Sequence, residues 1–482
     1  MMRSLFSGVA GLKTHQTKMD VIGNNIANVN TVAYKSQNVT FQELMYQTTQ
    51  SASAANAETG RGGVNAKQIG LGVQTGAINA NITTSGASQT TGNPFDIQIK
   101  GDSFFIVSDG SNNYFTRAGA FYVDGMGNLA MTSNGYTVMG WQEDPTKPGT
   151  IIKDTVSPLK IMSAENKVSA PEQTTRAYLS GVIDKNSTQL SSPNGLIVNI
   201  GIYDSLGYSY IAKFAIKDTG TSKDDGKYTL EPVDLIDSKG YSLMYSSDPS
   251  DPNYKQGYEK NGYDAEGGPG AGGGGTWPKT MAIDLTGATN PGFISYDTET
   301  GKSLDVDTAG NDKTFNITIG GIDAFTADIG LQLGTSTMYD NKGTSTIKGN
   351  SGDYDGNYAG RKVGEMSGVA IAQDGKITAT YDNGTSRLLG QIAVANFANP
   401  SGLEKIGDNL YQSTPNSGAF DGIGEDITAG AGSMSSGVLE MSNVDLSAEF
   451  TDMITTQRGF QANSRIITVS DSMLEELTNL KR

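Results

Sequence analysis

Apolar side chains recur every three or four residues at both ends of the chain, which places them along one face of an α-helix. The N-terminal series alternates steps of four and three: Leu5, Val9, Leu12, Gln16, Met19, Gly23 and Ile26. The C-terminal series repeats this spacing: Leu446, Phe450, Met453, Gln457, Phe460, Ser464, Ile467, Asp471 and Leu474. A stripe this narrow is hidden only against another helix, so the two ends are predicted to pair. Periodicity alone also allows a two-helix hairpin within one folded monomer.

The residues that border these stripes predict where the helices begin and end. Asp445 directly precedes the C-terminal stripe and has the side chain of an N-cap residue. Closely spaced asparagine and β-branched residues at 24–35 weaken helix propensity, so the first helix should end between Asn28 and Thr31. We expect these asparagines to cap the helix and form turns rather than bind a ligand.

Between the ends, the hydrophobic period changes to the alternation typical of β-strands. Residues 94–141 contain short alternating runs separated by turn residues, which predicts an antiparallel meander. A second β-rich block surrounds Ile392, and two further series predict additional strands: Val198, Ile200 and Ile202, then Phe315, Ile317 and Ile319. The predicted fold class is α+β, with the terminal helices paired as a coiled-coil core domain and nested, discontinuous, mainly antiparallel β outer domains.

Four regions are predicted along the chain. Residues 1–36 with 443–482 form the terminal helical core domain, and the small, polar residues 37–76 with 425–442 form an extended linker. Residues 77–160 with 360–424 form an inner β-domain. Residues 161–359 form the outer β-structure, which has room for a further inserted domain around 210–345. The glycine-rich stretch 267–275 favours a surface loop or an insertion boundary.

Charge and composition exclude several classes of partner and site. The 482 residues include 35 Lys and Arg against 51 Asp and Glu, a formal net charge of −16, so we expect no nucleic-acid partner. No apolar run reaches the roughly 20 residues that span a bilayer, and the first residues lack the apolar core and cleavage site of a signal peptide. We therefore expect no membrane insertion. The absence of cysteine excludes disulfides, thiolate catalysis and cysteine-ligated metal sites.

Two segments formally match ligand-binding motifs but lack the required context. A G-x-G-x-x-G pattern follows no predicted strand and opens no helix, at Gly270, Gly272 and Gly275. Residues 305–316 resemble a calcium loop, but Ala309 supplies no side-chain oxygen and Asn316 replaces the closing glutamate. We expect no cofactor and no metal site.

Candidate acid and base residues are similarly unconvincing. Two pairs of acidic residues are candidates, Asp353 with Asp355 and Asp224 with Asp225. Both lie among small and polar residues that would not desolvate a carboxylate. His15 is the only histidine and lies beside the helical stripe, where packing on the helix surface is a better interpretation than a Ser-His-Asp triad. We predict that the protein is not an enzyme and has no catalytic residues.

Five short segments, taken in chain order, form a specific pattern. The first, 24–35, carries the signature residues Asn24, Asn25, Asn28, Thr31, Tyr34 and Lys35. Segments 92–140, 203–207 and 383–411 follow, and the last, 443–464, carries Gln457, Arg458 and Asn463. Together they resemble the rod and hook axial proteins of the bacterial flagellum, and 203–207 is similar to a hairpin of the hook members. Ala33 departs from the family pattern, in which glycine is common at this position.

The resemblance implies a structural subunit of the flagellar hook that polymerises helically into a curved, hollow tube and transmits motor torque as a universal joint. It implies self-association, with flagellar rod, hook cap, hook–filament junction and export-apparatus proteins as further partners. The expected location is the extracellular hook, reached by type III export without a cleaved signal peptide. The assembly residues would be the apolar stripe positions Leu5, Val9, Leu12, Met19, Ile26, Leu446, Phe450, Met453, Phe460, Ile467 and Leu474.

Three alternative functions remain open from the sequence. A distal rod protein would share both terminal signatures and the 92–140 segment, although the length and residues 203–207 argue against it. A secreted adhesin with coiled-coil ends would use the glycine-rich middle for binding. A secreted hydrolase would need a clustered acid pair or a nucleophile. Neither secreted class explains the five ordered segments as well as the hook does.

Overall fold

The computed structural model describes residues 2–54, 60, 62–218, 226–257, 280–284, 294–300, 302–303, 314–322 and 324–480. The chain forms two compact units. Unit 1 contains Met1–Asn166, Gly368–Thr380 and Ser386–Arg482, so both ends of the chain belong to it. Unit 2 contains Lys167–Ser367 and Tyr381–Thr385. The finer four-part division stays a prediction.

Unit 1 contains two long helices, as the periodicity predicts. Helix α1 spans Met2–Ala27 and helix α2 spans Leu446–Asn479. Helix α1 ends at Ala27, one residue before the Asn28–Thr31 region in which the sequence predicts its end. The predicted N-cap is also confirmed, because the Asp445 carboxylate accepts hydrogen bonds from the backbone N–H groups of Ser447 and Ala448. Neither helix, within the part of the chain that is described, is apolar enough to cross a membrane.

The first twelve strands also belong to unit 1. They are β1 (Gln37–Glu43), β2 (Tyr46–Gln50), β3 (Lys67–Gly70), β4 (Val73–Ala80), β5 (Ser88–Thr90), β6 (Ile97–Lys100), β7 (Phe104–Ser108), β8 (Asn113–Thr116), β9 (Phe121–Val123), β10 (Leu129–Met131), β11 (Thr137–Gln142) and β12 (Ser157–Pro158). Residues 37–76, the predicted linker, form two antiparallel ladders, β1 with β4 and β2 with β3. Val39 is the only buried residue in β1, β2 and β3.

Unit 2 contains the next ten strands. They are β13 (Val168–Ser169), β14 (Arg176–Asp184), β15 (Leu196–Tyr203), β16 (Ser209–Asp218), β17 (Lys227–Asp237), β18 (Thr280–Asp284), β19 (Ile294–Ser295), β20 (Thr314–Gly320), β21 (Ile329–Tyr339) and β22 (Lys348–Ser351). One sheet has the order β18-β20-β21-β14-β22 and another has the order β15-β16-β17-β19. Alternate residues of β15 and β20 enter one hydrophobic core, which confirms the predicted series around Ile200 and Ile317. Residues 203–207 form the turn between β15 and β16, as expected for a hairpin.

The last eight strands are β23 (Gly364–Ile371), β24 (Lys376–Tyr381), β25 (Ser386–Ile392), β26 (Val394–Ala395), β27 (Glu404–Gly407), β28 (Leu410–Gln412), β29 (Ser433–Ser436) and β30 (Val438–Glu440). Short 3-10 helices span Pro400–Gly402 and Ile427–Gly430. The central sheet of unit 1 has the order β24-β25-β11-β7-β8-β28-β27, around a core that includes Phe104, Phe115 and Trp141. The predicted antiparallel pairing of 94–141 is confirmed, but the simple meander order is wrong because β8 pairs with the distant β28 and β11 returns to β7.

Several sequence predictions lie outside the described residues. These are the glycine-rich stretch 267–275 with its G-x-G-x-x-G pattern, most of the calcium-like segment at 305–313, and the acidic residues 224 and 225. The other acidic pair is part of a turn: the Asp353 carboxylate accepts hydrogen bonds from the backbone N–H groups of Asp355 and Asn357. That geometry is the one expected of a solvated turn acid. Within the described residues, no group of three or more histidine, aspartate or glutamate side chains is placed to hold a metal ion.

Candidate assembly site

Helices α1 and α2 lie side by side and run antiparallel. Near one end of the pair, the Ser4 and Ser470 hydroxyl oxygens are 3.3 Å apart. Near the other end, Lys18 Nζ lies 3.1 Å from Asp452 Oδ2. The two chain ends therefore contact each other along most of the length of α1. Supercoiling of this pair as a coiled coil stays a proposal.

Glycines on each helix receive larger side chains from the other. A Cβ added at Gly8 would lie 3.2 Å from Ile467 Cγ1, and one added at Gly11 would lie 2.7 Å from Asn463 Nδ2. On α2, a Cβ at Gly459 would lie 2.7 Å from His15 Cε1. None of these glycines was predicted as a contact residue. The sequence could have indicated them, because glycine inside a helix is unfavourable unless close packing requires it.

Some residues of the predicted apolar stripe lie in this contact between the helices, and others lie on the surface. Leu5, Leu12, Met19, Ile26, Met453, Phe460, Ile467 and Leu474 are half-buried. Val9, Leu446 and Phe450 are exposed, with 53%, 39% and 49% of their surface accessible. Further exposed apolar side chains are Phe6 on α1 and Ile454, Ile466, Val469, Met473, Leu477 and Leu480 on α2. Each helix therefore presents more apolar surface than the other helix covers.

Asn25 is the centre of the junction between the helices and strand β1. Its side chain is buried, and its Nδ2 donates hydrogen bonds to the Gln37 carbonyl oxygen (2.9 Å) and to Glu449 Oε1 (2.8 Å). Its Oδ1 accepts from the Gln37 backbone N–H (3.0 Å) and from the Tyr34 hydroxyl (3.2 Å). One signature asparagine thus connects α1, α2 and β1 through four hydrogen bonds, more than the capping role expected from the sequence.

Burial shifts the ionisable groups of this junction. It raises the pKa of Glu449, and the nearby Asp452 carboxylate adds to that rise while the Asn25 hydrogen bond opposes it. It also raises the pKa of Tyr34, with the Glu449 charge as a second cause. In the helix contact, burial lowers the pKa of His15, and the Lys18 ammonium lowers it further. The His15 ring also packs edge-on against Phe41, with ring centroids 5.6 Å apart, so the expected packing role agrees with its position.

A buried ion cluster joins the segment after α1 to the segment before α2. Lys35 Nζ donates to Glu440 Oε1 and to the Thr84 carbonyl oxygen, both at 2.8 Å. The same Oε1 accepts from the Gly86 backbone N–H at 3.0 Å, and Arg117 Nε donates to Glu440 Oε2 at 3.3 Å. The three charged side chains are at most 1% exposed. Burial lowers the pKa of Lys35, and the Glu440 carboxylate opposes that shift.

Neither Glu440 nor Arg117 was predicted as a site residue. The cluster brings together residues that are more than 300 positions apart, and a single glutamate in the short strand β30 carries no local signal of burial. Arg117 lies within the 92–140 segment of the family pattern, directly after strand β8, and its neighbours give no local signal of a buried charge.

Ala33 adopts a left-handed backbone conformation with φ of 56° and is buried. Its backbone N–H donates to the Glu440 carbonyl oxygen at 2.8 Å, and Asn409 Nδ2 donates to the Val32 carbonyl oxygen at 2.9 Å. The adjacent carbonyl of Lys35 accepts from Lys405 Nζ at 3.1 Å. These hydrogen bonds therefore hold the turn at Ala33 against strand β30 and against the β27–β28 hairpin. Only glycine adopts this conformation without steric cost, which explains physically why glycine suits the position.

The remaining signature residues form local contacts or lie on the surface. Asn28 Nδ2 donates to Asn24 Oδ1 (2.7 Å), and the Thr31 hydroxyl donates to Asn28 Oδ1 (3.0 Å), which is the capping and turn role predicted for them. Gln457 and Arg458 are exposed on α2 and do not reach the junction. The structure therefore brings together Asn25, Tyr34 and Lys35 from the N-terminal signature but separates them from this part of the C-terminal one.

Three sequence profiles match parts of the chain. The profile described as "Flagella basal body rod protein" matches residues 5–35, which include α1 and the junction. The profile described as "Flagellar hook protein FlgE/F/G D1 domain" matches residues 98–179. The profile described as "Flagellar basal body rod FlgEFG protein C-terminal" matches residues 435–480, which include Glu440 and α2.

Relatives align with the full length of the chain. The protein named flagellar hook protein FlgE of Treponema pallidum is 34% identical, and that of Borreliella burgdorferi is 36% identical, each with 100% of both chains covered. The flagellar basal-body rod protein FlgG of Bacillus subtilis is 29% identical, again with 100% of both chains covered. On this similarity over its whole length, the chain belongs to the flagellar hook protein family.

Proposed function

We propose that this protein polymerises helically through its terminal helices into a curved, hollow tube, which transmits motor torque to the flagellar filament as a universal joint. Membership of the hook family supports a structural, non-enzymatic role in the flagellum. The proposal goes further, because it assigns the assembly contact to α1 and α2.

The observation that carries the proposal is the uncovered apolar surface of the helix pair. Phe450 and Ile454 are about half exposed on the first half of α2, and Val469 is 56% exposed on its second half. Burying one such side chain is worth roughly 1.5–3 kcal/mol, so a neighbouring copy that covers several of them would be held strongly. Several exposed large apolar side chains along one helix are typical of an interaction site.

The composition of the chain supports a division of roles. The protein is strongly acidic, with a formal net charge of −16, and strand β20 presents Thr314, Asn316 and Thr318 to solvent. Polar, hydrated contacts between β-units exchange partners without exposing a hydrophobic core. A bending joint needs such exchange on every revolution, whereas the apolar helix contacts supply axial strength.

The first partner in this proposal is a second copy of the chain. By resemblance, the further partners are the flagellar rod, the hook cap, the hook–filament junction proteins and the export apparatus. The flagellar localisation follows from the family. We further propose that the subunit reaches the extracellular hook by type III export.

Electron microscopy under polymerising conditions tests the assembly role. Full-length protein is expected to form tubes, and protein lacking residues 1–36 and 443–482 is expected to form none. Phe450→Asp should also prevent tubes, because it places a charge on the uncovered apolar surface. Met126→Asp is the matched control, because it alters an exposed apolar side chain of the same unit that lies in the turn between β9 and β10 rather than on the helix pair. Monomers with ordered ends from the full-length protein would contradict the proposal and favour the adhesin.

A distal rod subunit is the second candidate, because the full-length relative from Bacillus subtilis is named a rod protein. Tube shape separates the two functions. Curved tubes support the hook, and straight, rigid tubes favour the rod.

A further inference from the structure

The exposed side of the four-stranded sheet of unit 2 contains a groove of about 500 Å³. Its lining includes Ile197, Lys213, Lys217, Glu231, Tyr245 and Lys255. The groove lies in unit 2, outside the residues that the three family profiles match, and no part of the terminal-helix mechanism uses it.

Lysines outnumber acidic side chains in the described lining of the groove, although the protein is strongly negative. Lys213 and Lys217 lie on the same face of β16, four residues and so about 13 Å apart. Lys217 forms an ion pair with Glu231 at 2.7 Å. From outside the strand, Lys255 Nζ lies 4.2 Å from the centre of the Tyr245 ring. Among the residues that the structure describes, three lysines and one glutamate line the groove, in a chain whose formal net charge is −16.

The groove also offers apolar surface between the charges. The Ile197 side chain is 42% exposed, and the Tyr245 ring forms another part of the lining. A ligand that fits this surface carries two or more carboxylates spaced along an extended backbone, with apolar atoms between them. An acidic stretch of polypeptide has this chemistry.

We propose that this lysine groove docks an acidic segment of a second copy of the chain. The inference rests on the proposed function, which packs many copies side by side. Copies that each carry a charge of −16 repel at separations below the Debye length of about 8 Å at physiological salt. When acidic residues of one copy bind in the lysine groove of the next copy, an oriented attraction replaces that repulsion. Because salt screens this attraction, the contact stays reversible.

Carbodiimide crosslinking of isotope-labelled tubes tests the docking. The reagent joins a lysine amine to a carboxylate that it touches, and tubes assembled from equal amounts of ¹⁴N- and ¹⁵N-labelled protein mark links between copies. We expect links of mixed isotope from Lys213 or Lys217 to aspartate or glutamate peptides in tubes but not in dilute monomer. Links within one isotope only, or none from these lysines while other lysines link across copies, would overturn the docking proposal.

Charge variants supply an independent readout. Lys213→Glu with Lys217→Glu should raise the protein concentration needed for assembly about 3- to 10-fold at low salt, and the difference should vanish near 1 M salt, where the Debye length is about 3 Å. Lys213→Gln with Lys217→Gln removes the charges with a smaller disturbance and should shift assembly in the same direction. The control Lys348→Glu alters an exposed lysine of β22 and should change the concentration less than twofold.

The outcomes separate this inference from the proposed function. If wild-type protein forms no tubes, the proposed function fails and the docking fails with it. If tubes form but Lys213 and Lys217 make no links between copies, only the docking fails. If added polyglutamate links to the groove of the monomer while tubes show no mixed links, the groove binds a separate polyanion and the second-copy proposal is wrong.

Discussion

Replacing Glu440 by glutamine should destabilise unit 1 severely, because the carboxylate is the only acidic side chain in the buried ion cluster. Its two oxygens accept from Lys35, Arg117 and the backbone of Gly86. Glutamine has nearly the same shape but only one acceptor oxygen, and its NH₂ group would face either the ammonium of Lys35 or the guanidinium of Arg117. Both cations would remain buried, since their side chains are at most 1% exposed.

The expected loss follows from the cost of leaving a buried charge unpaired. Breaking a buried ion pair by removing one partner costs about 3–5 kcal/mol. In the variant, Lys35 still donates to the Thr84 carbonyl and Arg117 still donates to backbone carbonyls, so the lower half of that range is expected. For a unit of roughly 275 residues, 3 kcal/mol corresponds to a fall in Tm of about 5 °C.

Tryptophan fluorescence during urea unfolding measures this loss. Trp141 is buried in unit 1, so in a Trp277→Phe background its emission reports on that unit alone. The matched control is Lys376→Met, which removes a surface ion pair with Asp374 in the same unit and should change the free energy of unfolding by less than about 1 kcal/mol. A loss below 1 kcal/mol for Glu440→Gln would refute the reasoning and mean that the cluster adds little to stability.

Three further predictions concern the helix pair and its turn. Ala33→Gly should stabilise unit 1 by about 0.5–1 kcal/mol in the same urea assay, because glycine adopts the positive φ without steric cost. Gly459→Ala should weaken the α1–α2 contact, since its Cβ would meet the His15 ring, whereas the control Gly23→Ala faces open space and should gain about 1 kcal/mol from helix propensity. Acidification should loosen the helix pair: burial holds the pKa of His15 below 6.5, so the unfolded chain binds more protons just below pH 6.5 and stability falls as the pH drops through that window.

Each of these expectations has a clear contrary result. A destabilised Ala33→Gly would mean that chain entropy outweighs backbone strain at the turn. Equal gains in helical stability from Gly459→Ala and Gly23→Ala, measured by circular dichroism, would show that the His15 ring moves aside without cost. For the pH effect, circular dichroism between pH 7 and pH 5 should show a smaller loss of thermal stability in His15→Gln. An identical loss would assign the effect to the carboxylates.

Local patterns in the sequence predicted the elements of this fold well. The spacing of Leu5, Leu12 and Met19 identified α1, and the chemistry of Asp445 identified the start of α2. Alternation likewise identified β15 and β20, because a half-buried strand must place every second residue in the core. These signals need only a few consecutive residues.

Pairings between distant segments were not accessible in this way. Strand β14 pairs with β21 in parallel although about 150 residues separate them. The alternation of apolar and polar residues along a strand does not identify its partner strand. Glu440 reads as an ordinary strand residue until Lys35 and Arg117 surround it. The small, polar composition of the predicted linker likewise gave no sign of β2 and β3. Backbone hydrogen bonds, rather than a hydrophobic core, hold this ladder of exposed residues together.

The central claim is that assembly covers apolar surface that the helix pair leaves exposed in the monomer. Amide hydrogen exchange across Leu5 to Ile26 and Leu446 to Leu474, compared between monomer and tubes, tests it most directly. Amides of both helices should exchange at least about 100-fold more slowly in tubes than in the monomer, which corresponds to roughly 3 kcal/mol from the burial of one or two side chains. Equal exchange rates across both helices in monomer and tubes would contradict this burial on assembly.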